Sequence, residues 1–322
     1  MNLNTNTTGS EKIKSVGAFY DKQLLAVSKP NLVYSQFAQK RNIPKGNSKT
    51  VNFRKFSKFP KATQPLTEGV TPDGMELAMT EITATVHQYG AYVTTSDVLN
   101  LTNLDPVMAE TNKMLGMNAG ETLNDVTAQE LAAGTNVLYA QNGTSRATLS
   151  VESNVLSVRD IKKAAAILKA YNTPKINGDY IAIIHPFATY DIMNDPEWID
   201  VKKYDSKDLY EGEIGSLYGV RFVESTESVI FKGAGANGAD VYGTIIVGEN
   251  AYGETSVEGG GLKTIIKQLG SGGTSDPLEQ RSTQGWKALH TAVILNQVSM
   301  IRIESASTMG YSDENGGGVI VA

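Results

Sequence analysis

The sequence predicts an α+β protein in which a basic arm and a projecting hairpin precede a long helix and a mixed region of helices and strands. Three observations carry this prediction. The first 48 residues are basic and poor in apolar groups, and two strand-like segments then flank a loop rich in proline and glycine. A helical pattern follows from about residue 105 to about residue 133.

The arm, residues 1–48, is the most basic part of the chain. Residues 1–62 contain twelve Lys or Arg and two acids, a net charge of +10, while the remainder carries −15. Such asymmetry indicates contact with an anionic partner, either nucleic acid or the acidic body of a neighbouring copy, and is equally compatible with a solvated terminus. Residues 16–26 are predicted to form a short helix. The arm has too few apolar residues for its own core and is expected to pack against a partner surface.

The hairpin is predicted over residues 49–92. Residues 50–56 and 81–89 alternate between apolar and polar side chains, as strands do. Between them, residues 59–74 contain three prolines and two glycines. A loop of this length exceeds an ordinary hairpin turn. We therefore expect a two-stranded projection with an extended tip.

The long helix is predicted within residues 93–150, from about residue 105 to about residue 133. Asp105 is a suitable N-cap, Pro106 suits the first helical position, and Gly134 suits the C-terminal stop. At about 1.5 Å per residue the helix would be about 40 Å long, enough to span a domain. Its apolar stripe is Met108, Leu115, Leu123 and Val126, with Met114, Ala119 and Leu131 beside it.

Residues 151–275 read as mixed α/β, and residues 276–322 as returning strands with a loose tail at Gly316–Gly318. Ser157 and Asp160 form a capping box before a helix that ends at Asn172 and Pro174. A second short helix is predicted over residues 186–194. Residues 270–273 are interpreted as a linker. The predicted strands cover residues 180–184, 220–223, 229–231, 244–247, 264–267, 286–295 and 300–304.

Composition excludes several classes of protein. The chain has no cysteine, so disulfides, thiolate metal sites and a cysteine nucleophile are excluded. No run of eighteen apolar residues occurs, which argues against a membrane partner, and the first residues lack the apolar segment of a secretory signal. A protein of a cytoplasmic kind is expected.

Catalytic and ligand-binding patterns are weak. His87, His185 and His290 lie nearly a hundred residues apart, so no local metal motif exists. Residues 259–264 contain glycines, Lys263 and Thr264, but Leu262 stands where a phosphate loop needs glycine, and a strand follows instead of a helix. Carboxylate pairs such as Glu121 with Asp125, and Glu211 with Glu213, are more typical of a solvated surface. No enzyme activity, catalytic residue, cofactor, metal or small-molecule substrate is predicted.

Basic residues alternate with aromatic ones in the arm and the hairpin. Such a pattern can bind single-stranded nucleic acid, but no recognition motif accompanies it. We therefore interpret this region as contacting other subunits. The candidate inter-subunit residues are Arg41, Lys45, Arg54, Lys55, Phe56, Lys58, Phe59, Lys61, Pro65, Leu66 and Glu68.

Short segments in a fixed order resemble the major capsid proteins of tailed bacteriophages, more closely their N4-like branch. These segments are Phe37–Arg41, Pro65–Pro72, Gln88–Val93, Ala133–Val137, His185–Phe187, Asn194–Trp198, Gly212–Gly215, Gly219–Ser225 and Gly259–Gly273. The resemblance implies the Hong Kong 97 type fold. It assigns an N-terminal arm to residues 1–48, an extended E-loop to 49–92, a peripheral domain with a spine helix to 93–150, an axial domain to 151–275, and returning peripheral strands to 276–322.

The resemblance also implies a function. The chain would form hexamers and pentamers of an icosahedral shell around double-stranded DNA, assembled in the bacterial cytoplasm and located in the virion. Separate scaffolding, portal and, optionally, decoration proteins would assist, and DNA would be contacted only through non-specific charge. Some relatives form a Lys–Asn crosslink; Lys61 lies near the loop tip, but no motif identifies its partner.

Three other functions stay open at this point. The first is an encapsulin-type nanocompartment shell of the same fold. The second is a phosphate-binding α/β enzyme that uses the glycines from Gly259. The third is a nucleic-acid-binding module based on the basic residues of the arm and hairpin.

Overall fold

The computed structural model describes residues 32–46, 48–102, 107–202, 213–257, 259–272 and 276–309, together with residues 24, 27 and 28. Several predictions lie wholly or mostly outside these residues. They are the short helix at 16–26, the cap formed by Asp105 and Pro106, the carboxylate Glu211, and the tail at Gly316–Gly318.

The described residues form five α-helices and fourteen strands. The helices are α1 (Asp97–Thr102), α2 (Val107–Ala132), α3 (Val158–Ala170), α4 (Pro186–Met193) and α5 (Pro196–Lys202). The strands are β1 (Gln39–Ile43), β2 (Thr50–Phe56), β3 (Met79–Thr85), β4 (His87–Ser96), β5 (Val137–Tyr139), β6 (Tyr180–Ile184), β7 (Glu213–Leu217), β8 (Val220–Glu224), β9 (Ile230–Phe231), β10 (Val241–Val247), β11 (Tyr252–Val257), β12 (Lys263–Lys267), β13 (Arg281–Ile294) and β14 (Met300–Ser305). In the described part of the chain, no helix is long and apolar enough to cross a membrane.

Three sheets organise these strands. The five-stranded sheet has the order β1-β11-β13-β12, and β4 also pairs with β13. The seven-stranded sheet has the order β5-β14-β10-β6-β8-β7, with β9 paired to β10. Strands β2 and β3 form a separate antiparallel ribbon. Strand β13 is long enough to pair with β4, β11 and β12, so it forms the centre of the five-stranded sheet.

Helix α2 confirms the predicted long helix and contacts both large sheets. Leu115 and Leu123 pack with Trp286 of β13, whereas Leu131, near the other end, packs with the core of the seven-stranded sheet. The prediction for Met114 is wrong. Its side chain is 68% exposed, because it lies one residue, or about 100°, away from the buried position of Leu115.

Polar side chains also occupy the buried face of α2. Asn124 accepts a hydrogen bond through Oδ1 from the backbone N–H of Tyr34 at 3.1 Å. Thr127 Oγ1 lies 2.9 Å from Nε2 of His290. Buried polar groups require such partners, so these pairs fix the rotation of the helix against its neighbours.

The C-terminal end of α2 is held by a buried ion cluster. Arg302 of β14 donates through Nη1 to the carbonyl oxygens of Ala132 and Gly134, and through Nε to Glu304 Oε1 at 2.8 Å. Arg146 donates two hydrogen bonds of 2.7 Å to the same carboxylate. Burial alone would raise the pKa of Glu304, but the hydrogen bonds from Arg146 and Arg302 outweigh it and lower that pKa.

Arg302→Met is expected to destabilise the subunit by about 3–5 kcal/mol. It removes the side-chain donor from the carbonyls of Ala132 and Gly134, and it leaves Arg146 as the one cation bonded to the buried Glu304 carboxylate. Arg54→Met is the matched control, since Arg54 forms an exposed ion pair with Glu81 at 3.3 Å. The control should cost less than about 1 kcal/mol. Chemical denaturation of the free subunit measures both, and equal effects would contradict the role given to Arg302.

The predicted helices after residue 150 are confirmed. Ser157 and Asp160 form the capping box of α3. Asp195 joins α3 to α5, because Oδ2 accepts from the Val158 N–H and Oδ1 from the Glu197 N–H, both at 3.0 Å. All five residues of β6 are buried, as its apolar run predicts.

His185 caps helix α4. Its Nδ1 accepts a hydrogen bond from the Phe187 N–H at 3.2 Å, and its ring lies 4.9 Å from the rings of both Phe187 and Tyr242. Burial lowers the pKa of His185 to about 4. The imidazole is therefore neutral at pH 7, which its acceptor role requires.

Acid should destabilise the subunit through His185. The unfolded chain takes up the proton below about pH 6.5, whereas the folded chain does so only near pH 4, so stability is lost as the pH falls between these values. His185→Asn keeps a capping acceptor and does not titrate. We expect the fall in Tm from pH 7 to pH 5 to be about 2–4 °C smaller in this variant. Identical falls, measured by thermal denaturation, would contradict the assignment.

Some predicted elements differ in the structure. The strand predicted at 81–89 is two strands, β3 and β4, which separate at Val86. The segment 270–273 was interpreted as a linker; its described residues, 270–272, lie in the connection between β12 and β13, which pair with each other as antiparallel neighbours. Strands β1, β5, β7 and β11 and helices α1 and α5 were not predicted as elements.

The sheets contain strands from both sides of the domain boundary predicted between residues 275 and 276. Strands β11 and β12, which precede it, pair with β13, which follows it. Strand β14 lies instead in the seven-stranded sheet, beside β5 and β10. The chain therefore passes between the sheets several times. The assignment of residue ranges to peripheral and axial domains stays a prediction.

Candidate inter-subunit surface

A projecting tongue, defined as β2, β3 and the loop 57–78 between them, is the main candidate surface. The ribbon pairs seven residues on each side, from Thr50 with Thr85 to Phe56 with Met79. Beyond it, Ser57 N–H donates to the Ala78 carbonyl at 2.9 Å, and the loop then continues without strands. The predicted hairpin with an extended tip is confirmed in form.

The base of the tongue is fixed to the body of its own subunit. Phe53 and Ala84 are buried against Leu295, which follows β13. Gly253 of β11 makes this contact possible, since a Cβ atom there would lie 2.8 Å from the Phe53 ring. Lys55 adds a hydrogen bond of 2.7 Å to Asn296 Oδ1. The direction in which the tongue leaves the subunit is therefore set by β11 and the end of β13.

The tip of the tongue is apolar and exposed. Leu66 is 77% exposed, the largest value in the tongue among the exposed large apolar side chains. Exposed apolar surface is typical of interaction sites where it is extensive. The exposed large apolar residues of the tongue are Phe56, Phe59, Leu66, Val70, Met75, Leu77 and Met79.

Charge is divided between the two limbs of the tongue. The outgoing limb carries the basic residues Arg54, Lys55, Lys58 and Lys61, and the returning limb carries the acidic residues Glu68, Asp73, Glu76 and Glu81. Where the limbs are paired, Arg54 and Glu81 neutralise each other at 3.3 Å. Beyond the ribbon, the limbs present opposite signs to any surface they meet, which favours one orientation of binding.

All eleven sequence-predicted contact residues are exposed. Nine of them lie in the tongue, while Arg41 lies in β1 and Lys45 just after it. Arg41, Arg54 and Lys55 form hydrogen bonds or ion pairs in their own subunit, and Lys45 also has an interaction there. Sequence reasoning missed Val70, Met75, Leu77 and Met79 of the returning limb, although the alternation from Met75 to Met79 was a usable signal.

The described part of the arm packs on its own subunit, so the expectation that the arm needs a partner surface is wrong for these residues. Val33 and Tyr34 are buried in the core that α2 shares with the seven-stranded sheet. Strand β1 pairs in parallel with β11. Arg41 of β1 donates to the Asn52 carbonyl at 2.9 Å, and so also fastens the arm to the tongue.

The described residues do not assemble the catalytic and metal candidates into a site. His290 is buried beside Glu254 at 3.4 Å, His185 caps α4, and His87 is exposed on β4. Among the described residues, no group of three potential ligands could hold a metal ion. Residues 259–261 form a turn, and strand β12 follows this turn, as predicted.

A cleft of about 250 Å³ contains Glu121 of the carboxylate pair. Glu224 and Glu227 also line it. Burial raises the pKa of Glu227, and the negative charges of Glu121 and Asp125 raise it further. The cleft is an acidic surface, and the hydroxyl residues Ser225 and Thr226 also line it.

Phe53→Ala should release the base of the tongue. The loss of this buried ring is expected to speed amide hydrogen exchange in β2 and β3 by about a hundredfold, the equivalent of about 3 kcal/mol. Phe56→Ala, on the same strand but 58% exposed, is the control and should change exchange less than about threefold. If both variants behave alike, the base is not anchored through Phe53.

The tongue has a fixed base and an exposed apolar tip, and helix α2 joins the cores of the two large sheets. These features define a structural subunit built for assembly, with the Hong Kong 97 type fold. A model of the family described as phage capsid protein matches residues 80–303. The chain belongs to this family and is a structural major capsid subunit of a phage shell. No curated protein sequence matches it.

Solved structures support the fold. The chain is similar to the capsid protein of cyanophage P-SCSP1u, with 16% identity, a TM-score of 0.67, and coverage of 86% of this chain and 88% of that chain. It is similar to the capsid protein of Ralstonia phage GP4, with 15% identity, a TM-score of 0.66, and coverage of 87% and 89%. A virus-like particle from Pyrococcus furiosus gives 10% identity, a TM-score of 0.54, and coverage of 89% and 99%.

These findings confirm the predicted resemblance to phage major capsid proteins and the predicted fold. They do not favour the nanocompartment or enzyme alternatives. Membership of the family means that the subunit assembles with its own copies into capsomers and is located in the virion shell.

Proposed function

We propose that this subunit builds hexamers and pentamers of an icosahedral shell around double-stranded DNA, and that the tongue binds neighbouring copies. The observation that carries the proposal is the exposed apolar tip on a fixed base. An isolated subunit gains nothing from holding seven large apolar side chains in water. Burial on a second copy would turn this cost into binding energy.

Seven of the eleven predicted contact residues serve this binding directly, in two ways. Phe56, Phe59, Pro65 and Leu66 supply apolar area, whereas Lys58, Lys61 and Glu68 supply charges of opposite sign on the two limbs. Arg41, Arg54 and Lys55 mainly hold the tongue in position. Lys45 follows β1 and is exposed. Charges at the rim of such an interface set orientation and association rate more than affinity.

The wider assembly follows from the same proposal. Assembly takes place in the bacterial cytoplasm with separate scaffolding and portal proteins, and optionally decoration proteins. Packaged DNA meets the shell through non-specific charge contact only, for which the basic arm is the available group. No catalytic step belongs to this function.

Leu66→Asp tests the tongue. The variant should keep the Tm of the free subunit within about 1 °C, because Leu66 is exposed, yet should reduce the yield of closed shells at least about tenfold. Shells are counted by electron microscopy and sedimentation after co-expression with the phage assembly proteins.

Leu66→Met is the matched control, since it keeps an apolar side chain of similar volume. It should assemble like the unmodified chain. Equal shell yields from Leu66→Asp and Leu66→Met would show that the tip does not bind neighbouring copies.

A further inference from the structure

Strand β4 has one paired edge and one open edge. Its ten residues pair with β13, and within the described residues no other strand lies beside it. Its side chains are also exposed on most of its length, with Thr95 buried and Tyr89 half-buried. An edge of this length presents a row of backbone donors and acceptors to solvent.

The hydrogen-bond pattern identifies which backbone groups face outward. The N–H of Asp97 donates to the Gln280 carbonyl at 3.0 Å, which fixes the alternation along the antiparallel ladder. Residues 91, 93 and 95 therefore bond to β13. Gly90, Tyr92 and Thr94 point their N–H and C=O groups away from the sheet, where the described chain offers no partner.

Several other edge strands of the two large sheets are protected in ways that β4 is not. Edge strand β12 carries Lys263 and Lys267, and β1 carries Lys40 and Arg41. Strand β5 has only three residues, and β7 contains a bulge. Charges, short length and bulges are the usual protections against unwanted strand pairing. Strand β4 contains no Lys, Arg, Asp, Glu or Pro.

The surface that continues from this edge is apolar. Tyr92 is 75% exposed, and the next turn of chain, helix α1, exposes Val98, Leu99 and Leu101. Asp97 is the one charged residue between His87 and Thr102. A strand added to β4 would thus gain backbone hydrogen bonds and apolar contact together.

We propose that a second copy of this chain adds an extended segment to the open edge of β4 in the assembled shell. A second copy is the occupant because the subunit assembles with its own copies, and because the unprotected edge continues into exposed apolar surface. The inference rests on the proposed shell function but concerns a surface separate from the tongue tip.

Residue-resolved hydrogen exchange tests the proposal. In the free subunit, amides of Gly90, Tyr92 and Thr94 should exchange rapidly, while those of Ala91, Val93 and Thr95 are protected by β13. In purified shells the first set should slow at least about a hundredfold. Unchanged rapid exchange of the first set in shells would overturn the proposal. Slow exchange already in the free subunit would also overturn it, by showing that the chain covers its own edge.

Thr94→Pro supplies the second measurement. Proline removes an outward N–H and leaves the ladder to β13 intact, a position where edge strands tolerate it. The free variant should stay folded, and its shell yield should fall at least about tenfold, whereas Thr94→Val should assemble normally. Normal assembly of Thr94→Pro would overturn the proposal; if the variant fails to fold, the exchange measurement decides. The tongue is tested separately by Leu66→Asp, so either proposal can fail alone.

Discussion

The connection between Arg302 and the C-terminal end of α2 is the interaction on which the arrangement of the two large sheets depends. Helix α2 packs along β13 of one sheet and ends against the other, so its end must be fixed. The Arg302 guanidinium fixes it by donating to the carbonyl of Ala132, the last residue of α2, to the carbonyl of Gly134 just beyond it, and to Glu304. Because Glu304 is fully buried, the cluster is a geometric constraint that tolerates no missing partner.

The packing of α2 against both large sheets also explains why the tongue has a rigid base and an unsupported tip. Its base contacts β11 and the residues after β13, and β13 is packed on α2. Arg41 adds the arm to this junction through the Asn52 carbonyl. Any change in the position of α2 is therefore transmitted to the direction of the tongue. A subunit that must bind neighbours through a projection needs such a base, since a loose projection would lose more conformational entropy on binding.

Local patterns predicted local elements, and long-range pairing limited the rest. The capping box at Ser157 and the apolar run at Tyr180 are decided by neighbouring residues, and both elements form as predicted. Strand β1 forms because β11 lies beside it, a partner more than 200 residues away that no local pattern reveals. Counting apolar residues along the chain likewise placed Met114 beside the apolar stripe of α2, although Met114 is exposed and the polar residues Asn124 and Thr127 are buried there. Sites on exposed loops were predicted from basic charge, which favoured the outgoing limb and overlooked the apolar returning limb.

The exposed surfaces also differ in how a free subunit avoids pairing through them too early. On the tongue, opposite charges on the two limbs place like charges together when two tongues stack in parallel register, which disfavours that contact. Strand β4 has no such protection, so under our proposal its open edge is covered only when a segment of a second copy pairs with it. Backbone hydrogen bonds carry little sequence preference and follow the twist of the strand that is added. A neighbour attached in this way could be accepted at slightly different angles, which is what a subunit needs if it occupies both hexamers and pentamers, as proposed.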